Sequence, residues 1–182
     1  WTTSTINPTT MWELGAPAYG HTSSAHSGSN CWDINLISAY ASSANASLYS
    51  PVLDVSTLGT FKITFWINHF SEEGWDGTRL EASIDGGVSW IVVGTLADPY
   101  GTNWYNEDLL VSSALPGWCG NSLGWKKVSY RFDQLGTVTN IQFKFVFTSD
   151  PTVVRDGFSI DDFSLTEIPD FDAEILEISP AS

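Results

Sequence analysis

Two groups of side chains here could do chemistry on a partner. The first is a run of rings and amides, Tyr100, Trp104, Tyr105 and Asn106, within DPYGTNWYNEDLLVSSALPGWCGNSLGW, residues 98–125. Flat rings offer apolar faces to sugars, and amides supply the donors and acceptors that hydroxyls need. Residues 98–118 contain no Lys or Arg, so this loop suits neutral glycans better than sulfated ones. The alternative is that these rings, with Trp118 and Trp125, form a small cluster packed onto the domain; exposure of Tyr100, Trp104 and Tyr105 separates the two. The second group is carboxylates: Asp161 and Asp162 in GFSIDDFSL, and Glu72, Glu73 and Asp76 upstream. A spaced carboxylate pair is what glycoside hydrolysis requires, although a loop of acids is more simply a solvated surface.

SIDGGVSW, residues 83–90, fills every fixed position of the Asp box, Ser-x-Asp-x-Gly-x-Thr/Ser-Trp, a pattern familiar from sialidases. Its parts all have folding roles. Gly86 and Gly87 can take the positive φ of a tight hairpin, Asp85 can accept turn N–H groups, and Trp90 can cover the turn. A sialidase propeller would repeat the box at roughly 40–50 residues; one copy occurs and no internal repeat is found, so the box reads as scaffold. No His-Glu-x-x-His run is present. His21 and His26 lie in a Ser-rich stretch with no Glu between them and read as solvated loop histidines. Asn45-Ala46-Ser47 is a formal glycosylation sequon.

Strands must position these groups, because helical periodicity is almost absent. Phe61, Ile63, Phe65 and Ile67 alternate with polar or outward positions, as do Ile141, Phe143, Phe145 and Phe147. Further strands are expected at Cys31–Ile37, at Ser47–Val55 with a break at Pro51, in the two arms of the box hairpin, at Lys126–Phe132 and at Phe158–Leu165. In the last of these, Ile160 and Phe163 are an odd step apart. Both can face a core only if a bulge at Asp161–Asp162 absorbs one residue, which would re-aim both carboxylates. Eight or nine strands with polar turns indicate an all-β fold, a jelly-roll β-sandwich of two antiparallel sheets.

The 182 residues suffice for one domain with a real core. A net charge of −14 argues against nucleic acid and against anionic membranes, and no apolar run is long enough for membrane insertion. Cys31 and Cys119 are the only cysteines. One disulfide is the favoured reading, worth roughly 4–5 kcal/mol across so long a loop and implying an oxidising compartment; two separate buried thiols are the alternative.

Several pieces, in order, resemble the MAM-type jelly rolls, particularly the MAM-like modules of large secreted proteins of Bacteroidetes and related bacteria: WELGAP, GHTSSAHSGSNCW, LYSPVLDVS, DGTRLEASIDGGVSW, NWYNED and the closing DGFSIDDFSL. Together they span about residues 12–165. One departure is Gly20-His21-Thr22, where MAM domains commonly carry Asp-His-Thr, so any cation role of that Asp is lost. The resemblance implies a MAM-like domain over 1–167, followed at 168–182 by a linker and the start of an Ig-like domain. It implies a non-catalytic extracellular or cell-surface module for recognition or adhesion, with a glycan or cell-surface ligand and neighbouring domains of the same chain as partners. The alternative is an architectural spacer beside a secreted catalytic unit. Related jelly rolls use an Asp on the closing strand for a structural ion, which makes calcium the expected cofactor and Asp76, Asp161 and Asp162 its expected ligands; bonds from these acids to backbone N–H groups are the competing expectation.

Overall fold

The computed structural model describes residues 1–133 and 138–169. They form strands β1 (Thr2–Thr5), β2 (Trp12–Gly15), β3 (Cys31–Ile34), β4 (Asn45–Tyr49), β5 (Leu53–Asp54), β6 (Thr60–Phe70), β7 (Gly77–Ser83), β8 (Ile91–Val92), β9 (Gly101–Thr102), β10 (Glu107–Leu110), β11 (Leu115–Cys119), β12 (Lys126–Phe132), β13 (Asn140–Thr148) and β14 (Gly157–Ile168). The larger sheet runs β1-β4-β13-β7-β11-β10, with β5 also on β13 and β8 on β7; the smaller runs β2-β3-β14-β6-β12-β9. All pairings are antiparallel, and the two sheets form the jelly-roll β-sandwich.

The alternating runs form the middle of both sheets. Phe61, Ile63, Phe65 and Ile67 of β6 and Ile141, Phe143, Phe145 and Phe147 of β13 are all buried, while Lys62 and Asn140 are exposed. Phe65 meets Phe145 edge-on across the sandwich, with ring centroids 5.1 Å apart. The Pro51 break separates β4 from β5. On β14, Asp161 lies opposite Trp66 and Ser164 opposite Thr64, so one extra residue is absorbed where the alternation requires it. Asp162 takes φ 51°, and Phe163 and Leu165 pack against the core.

Several expectations change. The strand count rises because β1, β2, β9, β10 and β11 are too short to show a period. Residues 98–125 are not a structureless connection, since they contain β9–β11. β14 continues through Ile168, and the expected linker and following domain lie, from residue 170 onward, outside the described residues.

The expected disulfide is also corrected: Cys31 and Cys119 are separate buried thiols. Cys31 opens β3 in the smaller sheet, and Cys119 ends β11 in the larger. Burial, then the charges of Asp33 and Asp161, push the Cys31 thiol up to about 12. Cys119 Sγ accepts the Gly74 N–H at 3.3 Å. Without a bridge, the cysteines no longer point to an oxidising compartment. Alkylation without reductant should leave both thiols unmodified in the folded protein and modify both after denaturation. A denatured, unreduced chain that takes up no reagent would restore the disulfide.

Candidate functional site

The Asp box closes on itself. Asp85 accepts hydrogen bonds from the backbone N–H groups of Val88 and Ser89 and from the hydroxyls of Ser83 and Ser89. The Ser89 hydroxyl first, then its backbone N–H and the Ser83 hydroxyl, hold the Asp85 carboxyl down at about 2. Gly86 and Gly87 have φ 76° and 88°, and Trp90 Nε1 donates to Gly87 O. The polar groups of the box are spent within the turn, as its folding roles require.

The four expected ligand residues divide. Tyr100 is 47% exposed, but Trp104 and Tyr105 belong to the core at 7% and 2%. Trp104 Nε1 donates to Val93 O, and its ring packs 4.6 Å from Tyr130 and 5.0 Å from Trp118. Tyr105 Oη accepts from Leu80 N–H at 3.0 Å and donates to Leu80 O at 3.2 Å, completing the hydrogen bonding of β7. The expectation that Trp104 and Tyr105 present faces to a sugar is thereby corrected: their faces are taken by neighbouring rings. Asn106 is exposed, with its amide bonded to the Cys119 backbone at both ends.

The three expected calcium ligands do not converge. Asp161 accepts Ser27 N–H at 3.0 Å; Asp162 accepts the Ser27 hydroxyl at 2.6 Å and meets His26 Nδ1 at 2.7 Å. The bulge thus aims both carboxylates at the Ser-rich 21–30 segment and clasps it over the smaller sheet. His26 stacks on Trp66, centroids 3.7 Å apart, and Trp125 Nε1 donates to Ser24 O. His26 is therefore an anchored residue and not a solvated one. His21 is likewise held, its N–H on Asp156 Oδ2 at 2.7 Å and its Nε2 buried without a partner.

Asp76 instead meets Glu72 and Asp150, the three offering oxygens within 4.8 Å of one another. Asp76 is fully buried, accepting from Tyr40 Oη at 2.8 Å and Asp150 N–H at 2.7 Å. Burial first, with the Asp150 and Glu72 charges adding, pushes its carboxyl up to about 6. Glu72 Oε2 is buried without a partner, and no ion pair among the described residues reaches the cluster. Three hard oxygen donors without a counter-charge are chemistry that fits calcium.

A cleft of about 210 Å³ is lined by residues of β6, the 103–106 turn, β11 and the 121–126 segment. Ile67 and His69 of β6 form one wall, and Trp104 and Trp118 contribute from the core. Asn103, Asn106, Asn121 and Lys126 bring polar groups to it. His69 Nδ1 lies 3.1 Å from Gly120 O, which can only accept, so Nδ1 carries the proton and Nε2 is left as an acceptor. Burial first, and the Lys126 charge, hold His69 down at about 4, so the ring stays neutral at ordinary pH. One short pattern touches this cleft, the Gly-x-Ser-x-Gly run Gly120-Asn121-Ser122-Leu123-Gly124, which brings Asn121 and Ser122 to the lining; the Ser122 hydroxyl donates to Asn68 Oδ1 at 2.8 Å and not to the His69 ring. The other lining residues come from β6, the 103–106 turn, β11 and the start of β12.

No family model matches the chain. A stretch of Bacillopeptidase F from Bacillus subtilis (strain 168) is 26% identical over 156 residues, 86% of this chain but 9% of that protein. Among solved structures, TmCBM61 in complex with β-1,4-galactotriose aligns over 92% of this chain and 88% of its own, with TM-score 0.53 and 18% identity. The K1 cleaved adhesin domain of Lys-gingipain from Porphyromonas gingivalis W83 aligns over 93% and 91%, with TM-score 0.53 and 14% identity. The chain shares its fold with a carbohydrate-binding module and an adhesin domain. It spans about a tenth of the peptidase that it matches in sequence.

Proposed function

We propose that this domain is a non-catalytic extracellular module that binds a glycan in the cleft beside His69. The observation that carries the reading is the lining of that cleft: a neutral imidazole acceptor, the amides of Asn103 and Asn121, and the Lys126 ammonium, with no carboxylate among its lining residues. Hydroxyls both donate and accept, and this set answers both. Two carboxylates flanking a bond, the usual means of glycoside hydrolysis, are not part of this lining. The fold shared with TmCBM61 supports the reading. Kinship with MAM-like modules is part of it, supported by the bulged DGFSIDDF strand at the centre of the smaller sheet.

The test is a glycan array carrying β-1,4-galactotriose among other neutral and acidic oligosaccharides, followed by calorimetry on the strongest binder. Asn103→Ala combined with Lys126→Ala, both at exposed positions, should weaken binding roughly tenfold or more through lost hydrogen bonds. An array with no retained glycan overturns the proposal, as does affinity unchanged in the folded double variant.

A calcium ion at Glu72, Asp76 and Asp150 belongs to the same reading, as a brace for the loops between β6 and β7 and after β13. The uncompensated buried Asp76 carboxylate supports it. A second reading, an accessory domain within a larger secreted enzyme, is favoured by the match to 9% of Bacillopeptidase F. The two are compatible, since a glycan-binding module can itself be the accessory.

A further inference from the structure

The cleft beside His69 is large enough for one sugar unit but not for a chain of them. At about 210 Å³ it falls below the ~300–1,000 Å³ usual for small-molecule sites. A second cleft, of about 460 Å³, adjoins it, because Asn121 lines both. The isolated bridge between Phe70 and Asn121 fixes that residue at the end of β6, with His69 on one side and Phe70 on the other. Two clefts that meet at Asn121 suit an oligosaccharide chain with one unit in each, rather than a single ring.

The second cleft differs from the first in its charge chemistry. Tyr19, His21, Phe70, Arg155 and Asp156 line it. Of the seven Lys and Arg side chains, Arg79, Arg131 and Lys144 are held in ion pairs among the described residues, whereas Lys62, Lys126, Lys127 and Arg155 are not; of these four, Arg155 and Lys126 line a cleft. Arg79 and Lys144 pair with Glu81, and Arg131 pairs with Asp133. Arg155 has no carboxylate within ion-pair distance among the described residues. Its guanidinium lies 5.7 Å from the Phe70 ring centroid, and Nη1 donates to Val154 O at 3.1 Å, leaving its other N–H groups unspent. Asp156, the one acid lining either cleft among the described residues, has one oxygen engaged: Oδ2 accepts the N–H groups of His21 and Thr22 at 2.7 and 2.9 Å. His21, on the same wall, keeps an Nε2 without a partner.

We infer that the two clefts select an acidic glycan, with the carboxylate of a uronic acid unit on Arg155 in the second cleft and the adjoining unit beside His69. A guanidinium fork matches a carboxylate in two parallel hydrogen bonds, which an ammonium cannot reproduce. The exposed face of Tyr19 is available to the same sugar ring. Lys126, in the first cleft, adds a second positive charge along the path. The neutral glycan expected from residues 98–118 alone reflects a loop that supplies only one side of the first cleft. This inference rests on the glycan reading above.

The test uses an array of tetrasaccharides in matched pairs that differ at C6: α-1,4-galactose against galacturonate, β-1,4-mannose against mannuronate, and β-1,4-glucose against glucuronate. At least one acidic member should be held roughly tenfold or more tightly than its neutral twin, as charge-assisted hydrogen bonds require. Arg155→Ala should remove that advantage and leave the neutral twin's binding unchanged, and Arg155→Lys should restore only part of it. Arg155 is exposed, so both variants should fold. Neutral members bound as tightly as their acidic twins in every pair would overturn this inference and leave the glycan reading standing. An acidic preference that survives Arg155→Ala would also overturn it. If the protein retains no member of any pair, both readings fail together.

Discussion

Trp104→Ala should lower the unfolding free energy by about 3–5 kcal/mol, a fall in Tm of roughly 6–20 °C for a domain of this size. The indole stands between the sheets against Phe65, Tyr105, Trp118 and Tyr130, with centroids 4.6–6.2 Å away. Truncation opens a void among rings that cannot collapse independently, and it leaves Val93 O without its donor. The backbone around the ring is shaped to admit it. A Cβ on Gly101 would lie 2.4 Å from Trp104 Cβ, and one on Gly94 would lie 2.7 Å from Trp104 Nε1. Tyr100→Ala is the control: it removes a ring from the same segment, but an exposed one, and should shift Tm little. Urea unfolding of both variants makes the comparison. Equal, small losses for the two would mean that Trp104 is not a core residue.

Asp33→Asn should stabilise the protein at pH 8, on the order of 3–4 kcal/mol, and change little at pH 4. Burial, the largest cause, pushes the Asp33 carboxyl up to about 7, with Asp156 and Glu13 adding to it and the Ser159 hydroxyl opposing. The ordinary value is 3.8, so the fold binds this proton more tightly than the unfolded chain does. Its contribution to stability is full below about pH 4 and is lost as pH rises through about 7. Asp76, pushed up to about 6, behaves in the same direction. Asparagine has no proton to lose, so the gain from Asp33→Asn should grow across that window. Calcium acts on Asp76 in the opposite sense, because it binds the ionised carboxylate and only in the fold. At pH 8 a chelator should therefore lower Tm, calcium should restore it, and Asp76→Asn should abolish the difference. Asp33→Asn equal to the parent at pH 8 would overturn the first claim. Identical melting with calcium and with chelator would overturn the second.

The sandwich was legible because alternation is a local property. Phe61 to Ile67 and Ile141 to Phe147 each declare one buried face without reference to any other strand. The bulge at Asp161–Asp162 was legible for the same reason: the odd step from Ile160 to Phe163 breaks parity within a single strand. The Asp box was legible because its hydrogen bonds close within residues 83–90.

The binding chemistry was not local, and it was there that the chain's order misled. Tyr100, Trp104 and Tyr105 look alike in sequence, yet only Tyr100 is exposed, because Tyr105 docks on Leu80 of a strand 25 residues away. Asp161 and Asp162 look like ion ligands, but contact with residues 26 and 27 makes them anchors. Asp76 found Glu72 nearby in sequence, whereas its other neighbour, Asp150, lies 74 positions on. Sequence alone determined which residues of the long alternating strands face inward and where the bulge and the Asp-box turn fall, since those depend on a residue and its immediate neighbours. Only the tertiary structure decided which carboxylates share a site, which rings keep a free face, and that Asn121 stands between the cleft of His69 and the cleft of Arg155, because those depend on pairings between distant strands that no local pattern encodes.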